Sequence, residues 1–375
     1  MKPYNSLRRG MVIDRCQPRG IPPAPSTFVD DSDMAIIKQL GFDHVKILLT
    51  PSSYMKDDRL DPSTLWYAEN LIGKAVKAGL HCLVCIHPEP EFKRDYLASR
   101  ERFRLMLDFY REFSAWLAGC WDKNQISFQL MTEPFANYTD WNELHPQIWE
   151  TVRDKMPEHT LVISGDKVGS LFGLITTNPV PDGNVYYGYT SYDPIPFTMQ
   201  SWNSFFCGLG PELDCIGRLP YPASPEIVED LMPRILMDTP PELHEKAAVY
   251  ARDYGQGNYL HGNHGLFDAQ WHERRMELLE NWRRRHKSHL PILCNEFGAM
   301  DHVAGKRFGG PGCVPEDRIR FIRDLREAME RHDVGWSYWS FNETFTIFLP
   351  EERKPNAPID IAIVDRDLLE ALGMQ

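Results

Sequence analysis

Short apolar runs alternate with amphipathic stretches eight times along this chain, and that rhythm restricts its fold more than any other feature. The runs lie at residues 10–15, 44–49, 81–87, 126–133, 161–164, 185–192, 292–297 and 335–341 and have the length of buried strands. The clearest helical pattern covers 99–121. There Phe103, Met106, Tyr110, Phe113, Leu117 and Cys120 recur at steps of three and four. A second covers 317–331, with Ile319, Ile322, Leu325 and Met329 opposite a charged face. Strands separated by helices run parallel. Eight such units predict an α/β fold of the (β/α)8 TIM-barrel type rather than an open nucleotide-binding sheet. The Gly-x-Gly-x-x-Gly fingerprint of the latter is absent after the first run. A chain of 375 residues suits one such barrel, so 1–375 is expected to form a single domain.

One stretch breaks the rhythm. Residues 193–267 are rich in Pro, Gly and aromatics, with helical pieces near 226–236 and 241–254. It is expected to be an inserted loop after strand six, at the active-site face, that shapes a substrate cleft.

Charge and cysteine usage exclude several functions. The formal net charge is −12, and the basic run Trp282-Arg283-Arg284-Arg285-His286-Lys287 closes a helical pattern, so no nucleic-acid partner is expected. No apolar window is long enough to span a membrane. The N-terminus shows no apolar leader, which suggests a cytoplasmic protein as written, or a secreted one if a leader has been removed. Cys82 and Cys85 sit three apart in a strand, where they do not share a face. His261 and His264 lack the cysteine or carboxylate spacing that would complete a site. Neither a metal nor a cofactor is therefore expected.

Barrel enzymes place their chemistry at the C-terminal ends of strands. Here those ends offer Lys46 on strand two, His87 with Glu89 on three, and Thr132 with Glu133 on four. Strand six offers Thr190, Tyr192 and Asp193, strand seven Asn295 with Glu296, and strand eight Trp339 with Asn342. Singly, each reads as a solvated strand end. Two glutamates ending strands four and seven, which face each other across a barrel mouth, are more informative. They can flank one glycosidic bond, one attacking the anomeric carbon and the other protonating the leaving oxygen. Such a pair needs one carboxyl ionised and the other protonated.

On these residues the chain resembles glycoside hydrolase family five, the cellulase family. Gln129-Leu130-Met131-Thr132-Glu133-Pro134 is similar to its acid motif and Leu293-Cys294-Asn295-Glu296-Phe297-Gly298 to its nucleophile motif. Tyr192-Asp193-Pro194 resembles its strand-six segment, Gly335-Trp336-Ser337-Tyr338-Trp339 its strand eight, and residues 367–373 a C-terminal pattern of bacterial members. The resemblance implies Glu133 as general acid/base and Glu296 as nucleophile. It also implies His87 lining the glycone site, Tyr192 bonded to the nucleophile and Trp339 as a floor under the sugar. Trp202 and Trp141 are candidates for aglycone stacking.

Three positions depart from the family pattern: Lys46, Thr132 and Thr190 stand where Arg, Asn and His are usual. A lysine lacks the planar fork of arginine, and a threonine hydroxyl does not replace an amide or a ring nitrogen. The pocket could accept an unusual 2-substituent, or Glu89 and Asn295 could compensate. Alternatively, the chain could have become a carbohydrate-binding pseudoenzyme. A transglycosidase, or a metal-dependent hydrolase or lyase reusing the carboxylates, are further alternatives. The expectation is a cofactor-free retaining β-glycoside hydrolase acting on a β-linked glucan- or mannan-type oligosaccharide.

Overall fold

The computed structural model describes residues 5–13, 29–135, 140–206, 208, 210–259, 266–287, 289–307, 309–341, 345–349 and 360–374. His261, His264 and Asn342 lie outside the described residues. Eight strands close a barrel: β1 (Arg9–Ile13), β2 (His44–Leu49), β3 (His81–Ile86), β4 (Ile126–Gln129), β5 (Leu161–Ser164), β6 (Val185–Ser191), β7 (Ile292–Phe297) and β8 (Val334–Tyr338). Each strand neighbours the next in sequence, and β8 returns to β1 in parallel, with Gly10 opposite Ser337. The expected (β/α)8 fold is therefore what the chain adopts.

The helices used below are α1 (Asp31–Gln39), α2 (Leu65–Lys77), α3 (Pro90–Tyr96), α4 (Arg100–Cys120), α5 (Trp141–Lys155), α6 (His244–Gly255) and α7 (Pro315–Arg331). Helix α4 begins where the Ser99 side chain accepts from the Arg102 amide. It buries Phe103, Met106, Tyr110, Phe113 and Leu117, as its periodicity predicts. Cys120, expected on the same face, is exposed. Its 21 residues extend about 30 Å at helical rise. A six-residue strand covers only about 20 Å, so the last turn outruns what it can pack against.

The chain divides into two structural units. The first comprises Met1–Thr190, Asn281–Glu296 and Asp333–Tyr338 and holds the barrel strands but for the last residues of β6 and β7. Leu7, Leu83, Val162, Tyr186 and Leu293 form an apolar cluster in it. β1 requires glycine at position 10, because a Cβ there would lie 2.1 Å from the His44 ring. That ring is itself held 2.9 Å from the Ser337 hydroxyl.

The second unit comprises Ser191–Glu280, Phe297–His332 and Trp339–Gln375, and includes all of 193–267. Its centre is aromatic: Phe197 packs on Phe321 at 5.0 Å and Tyr221 on Phe267 at 4.9 Å between ring centroids. The helix expected near 226–236 is two pieces, Pro225–Asp230 and Met232–Ile235. Pro233 lacks an amide proton and its ring would strike the carbonyl four residues back, so the helix breaks there. On α7, Arg318 is buried and its guanidinium donates to the carbonyls of Ala299, Phe345 and Thr346 at 2.9, 3.1 and 3.1 Å.

Candidate active site

Glu296 lies next to last on β7, a strand buried along its whole length. Lys46 comes from β2, which β1 and β8 separate from β7, so its side chain must cross the interior to reach β7. It arrives with no solvent exposure, its Nζ 2.6 Å from Glu296 Oε1 and 2.7 Å from Asn295 Oδ1. Lysine at this position thus pairs with the carboxylate as a point charge, and the side-chain oxygen of Asn295 helps hold it. Asn295 is 1% exposed and is placed as a support for Lys46. Its Nδ2 is buried without a hydrogen-bond partner, 3.0 Å from where a Cβ on Gly188 would stand.

Glu133 does not continue β4. The strand is assigned to Gln129, yet Leu130 still donates to Val162 O and Thr132 to Ile86 O. At Glu133 the backbone then turns left-handed, with φ +49. That conformation costs a non-glycine residue about 1–2 kcal/mol, so the surroundings must hold it. Two contacts do. Lys93, on α3, donates from Nζ to the Glu133 carbonyl at 2.7 Å. On the other side lies a turn after β5 in which Lys167, Val168 and Gly169 are all left-handed, with φ of +54, +59 and +69. Val168 N of that turn donates to Pro134 O at 3.0 Å. A Cβ on Gly169 would be 3.3 Å from the Glu133 Cα.

The Glu133 carboxyl is pushed up from 4.5 to about 7. Burial is the main cause and the Glu296 charge the second, with Lys93 and Lys46 opposing both.

The two unusual threonines are committed internally. Thr132 is fully buried, and its hydroxyl is 2.6 Å from the thiol of Cys85. Thr190 donates to the carbonyls of Val168 and Gly169 at 3.3 and 3.4 Å, tethering the turn that abuts Glu133. His87 is half-buried at the end of β3, its amide bonded to Leu49 O at 2.8 Å. Glu89 stands at the N-cap position of α3 without a side-chain capping bond; its Oε1 accepts from the Ser52 hydroxyl, while its Oε2 is buried without a hydrogen-bond partner.

In the second unit, Tyr192 and Trp339 are half-buried against one cluster of Met199, Met300, Ala304 and Phe345. Trp202 packs on the same cluster and stacks on Phe205 at 4.9 Å. Asp193 is ion-paired with Arg275 at 2.6 Å. Trp141 corrects an expectation: it is 2% exposed and its indole donates to Ser164 O, so it packs inside and offers no face to a sugar.

Sequence reading missed Lys93, Cys85 and Gly169. A signal for the first was present in Glu89-Pro90, a cap followed by proline at the first helical position. Once α3 is inferred, Glu89 and Lys93 share a face four residues apart. Among the described residues no group of three or more His, Cys, Asp or Glu could hold a metal ion, and no helix is long and apolar enough to cross a membrane.

A closed parallel barrel with one glutamate just beyond β4 and another on β7 is the arrangement of a barrel glycosidase, and the chain is a retaining β-glycoside hydrolase. The chain belongs to glycosyl hydrolase family 5, the cellulase family, which it matches over residues 24–344. Endoglucanase C of Acetivibrio thermocellus is 21% identical over 341 residues, 88% of each chain. Cellulose synthase subunit Z (CcsZ) of Clostridioides difficile shares the fold with a TM-score of 0.70 at 19% identity, over 98% of this chain and 99% of that one. Thermotoga maritima Cel5A in complex with mannotriose does so with a TM-score of 0.68 at 21% identity, over 98% and 97%.

Proposed function

We propose that the chain hydrolyses a β-linked glucan- or mannan-type oligosaccharide by double displacement, with Glu296 as nucleophile and Glu133 as acid and then base. The observation that carries this reading is the opposed environment of the two glutamates. Glu296 is ion-paired with Lys46 at 2.6 Å, whereas Glu133 is raised to about 7 and holds a proton in weakly acidic solution. A paired carboxylate is fitted to attack the anomeric carbon, and a neutral carboxyl to protonate the departing oxygen. In the second half, Glu133, now ionised, takes a proton from water as it attacks the glycosyl–Glu296 ester.

The sugar class rests on the relatives, an endoglucanase and a Cel5A that holds mannotriose. His87, Glu89, Tyr192 and Trp339 are proposed to line the sugar site. The same proposal takes the chain as one barrel domain that carries 193–267 as an insertion after strand six. Aryl β-glucoside, β-mannoside, β-cellobioside, β-xyloside and 2-acetamido-glucoside should be assayed with Glu133→Ala and Glu296→Ala. Release that needs both glutamates, with a product that keeps the β configuration, is expected. Release that survives Glu296→Ala overturns the assignment. Sugar binding without turnover by the folded wild type points to a pseudoenzyme instead.

A further inference from the structure

Lys93 belongs to none of the motifs that identify the family. It is 8% exposed, and its ammonium donates at 2.7 Å to the main-chain carbonyl of Glu133, whose backbone is left-handed. Burying an ammonium is costly unless its charge is met, and burial lowers the proton affinity of Lys93. The groups that counter this are Glu133, Glu296, Cys85 and Glu89. Three of the four are carboxylates of the candidate site. A buried cation held there, bonded to the carbonyl of the strained residue that carries the carboxyl, calls for a role in that site.

We propose that Lys93 is a positioning residue for Glu133, its ammonium clamping the left-handed main chain that carries the carboxyl and setting a positive charge beside the proton-exchanging group. The idea rests on the acid/base role given to Glu133 above. The charge adds to that of Lys46 and opposes Glu296; the turn packed against Glu133 also carries Asp166 and Lys167. Burial and Glu296 make the Glu133 carboxyl reluctant to ionise, and Lys93 limits that reluctance. The carboxyl can therefore give its proton up and recover it within one catalytic cycle near neutral pH.

The test titrates Glu133 directly in the full chain, by carbon-13 NMR of protein carrying glutamate labelled at the carboxyl, with Glu133→Gln to assign the signal. Lys93→Met should raise the Glu133 midpoint by about one pH unit, as loss of a nearby opposite charge does. Lys93→Arg should leave it near the wild-type value. Lys93→Gln keeps a donor without the charge; it should raise the midpoint and retain more activity than Met, and it serves if the Met variant fails to fold. On an aryl β-cellobioside, the basic limb of kcat/KM should move with the NMR midpoint.

A merely structural role gives the opposite sign. Loosened packing would admit water to Glu133 and lower its midpoint. An unchanged or lowered midpoint in folded Lys93→Met or Lys93→Gln overturns the proposal. A raised midpoint in a protein that cleaves no glycoside leaves the clamp standing and overturns the hydrolytic reading instead.

Discussion

Replacing Glu133 by Gln should make the protein more stable than wild type, and increasingly so as the pH rises from 4.5 to 7. The carboxyl titrates at about 7 in the folded chain against an ordinary 4.5. Between those values the native state keeps a proton that the unfolded chain has released, so wild-type stability falls as pH rises through this window. Above about pH 7 both states are ionised and the loss is complete. The gap corresponds to a ceiling of about 3 kcal/mol. Glutamine is nearly isosteric and does not titrate, so the variant escapes the loss. Equilibrium urea unfolding, followed by tryptophan fluorescence at half-unit steps from pH 4 to 8, measures the difference between the two proteins. It should be flat below pH 4.5, grow through the window and level off near 7. In a Glu296→Gln background the growth should be smaller but of the same sign, because burial acts first and Glu296 second. A difference that stays flat from pH 4 to 8, or shrinks with rising pH, would show that Glu133 is not held protonated and would refute the reasoning.

Lys46→Met removes the partner of a carboxylate that is only 2% exposed, and should destabilise the fold by about 3–5 kcal/mol in urea unfolding. A loss below about 1 kcal/mol would mean the pair is not held as described. Gly169→Ala puts a side chain at φ +69 and 3.3 Å from the Glu133 Cα. It should cost about 1–2 kcal/mol of stability and lower kcat more than it raises KM, since it displaces the acid. Thr132→Val breaks the contact with Cys85 and should cost about 1 kcal/mol in the same unfolding assay, with kcat/KM within an order of magnitude of wild type.

The barrel was legible because its strands are buried on both faces and separated by helices with a three-to-four-residue period. Those patterns follow from local geometry, and β2, β5 and β7 match the expected spans residue for residue. The two glutamates were legible for the same reason, since each follows an apolar run. What escaped notice depends on contacts between distant residues. Nothing local to Glu133 announces a left-handed residue; it is imposed by Lys93, 40 positions upstream, and by the turn at Lys167–Gly169. A valine with φ +59 runs against its own preference, so no propensity could have placed it there. Likewise, the apolar run through Thr132 gave no sign that its hydroxyl faces a thiol on the next strand.

These contacts change what the departures from the family pattern mean. Lys46, Thr132 and Thr190 look in sequence like three losses of sugar-reading groups. In the fold each has found an internal partner: Lys46 holds Asn295 and Glu296, Thr132 holds Cys85, and Thr190 holds the turn beside Glu133. They have become part of the apparatus that supports the two carboxyls. Of the two residues suspected of compensating, Asn295 gives its side-chain oxygen to Lys46 and keeps a buried Nδ2 without a partner, and Glu89 retains a carboxylate oxygen without a partner. A site built to bond a particular hydroxyl rejects the analogue that lacks it by about 10⁴–10⁵, because its own polar groups are left unpaired. The hydroxyls of Thr132 and Thr190 are already satisfied within the protein, so a change at the sugar's 2-position strands neither of them. The chain should therefore discriminate weakly at the sugar's 2-position, with aryl β-glucoside and β-mannoside differing by about tenfold or less in kcat/KM, the scale of a modest packing difference. A preference above a thousandfold would show that a polar group does read that position, and Glu89, with its spare acceptor, is the residue whose replacement by Ala should then abolish it.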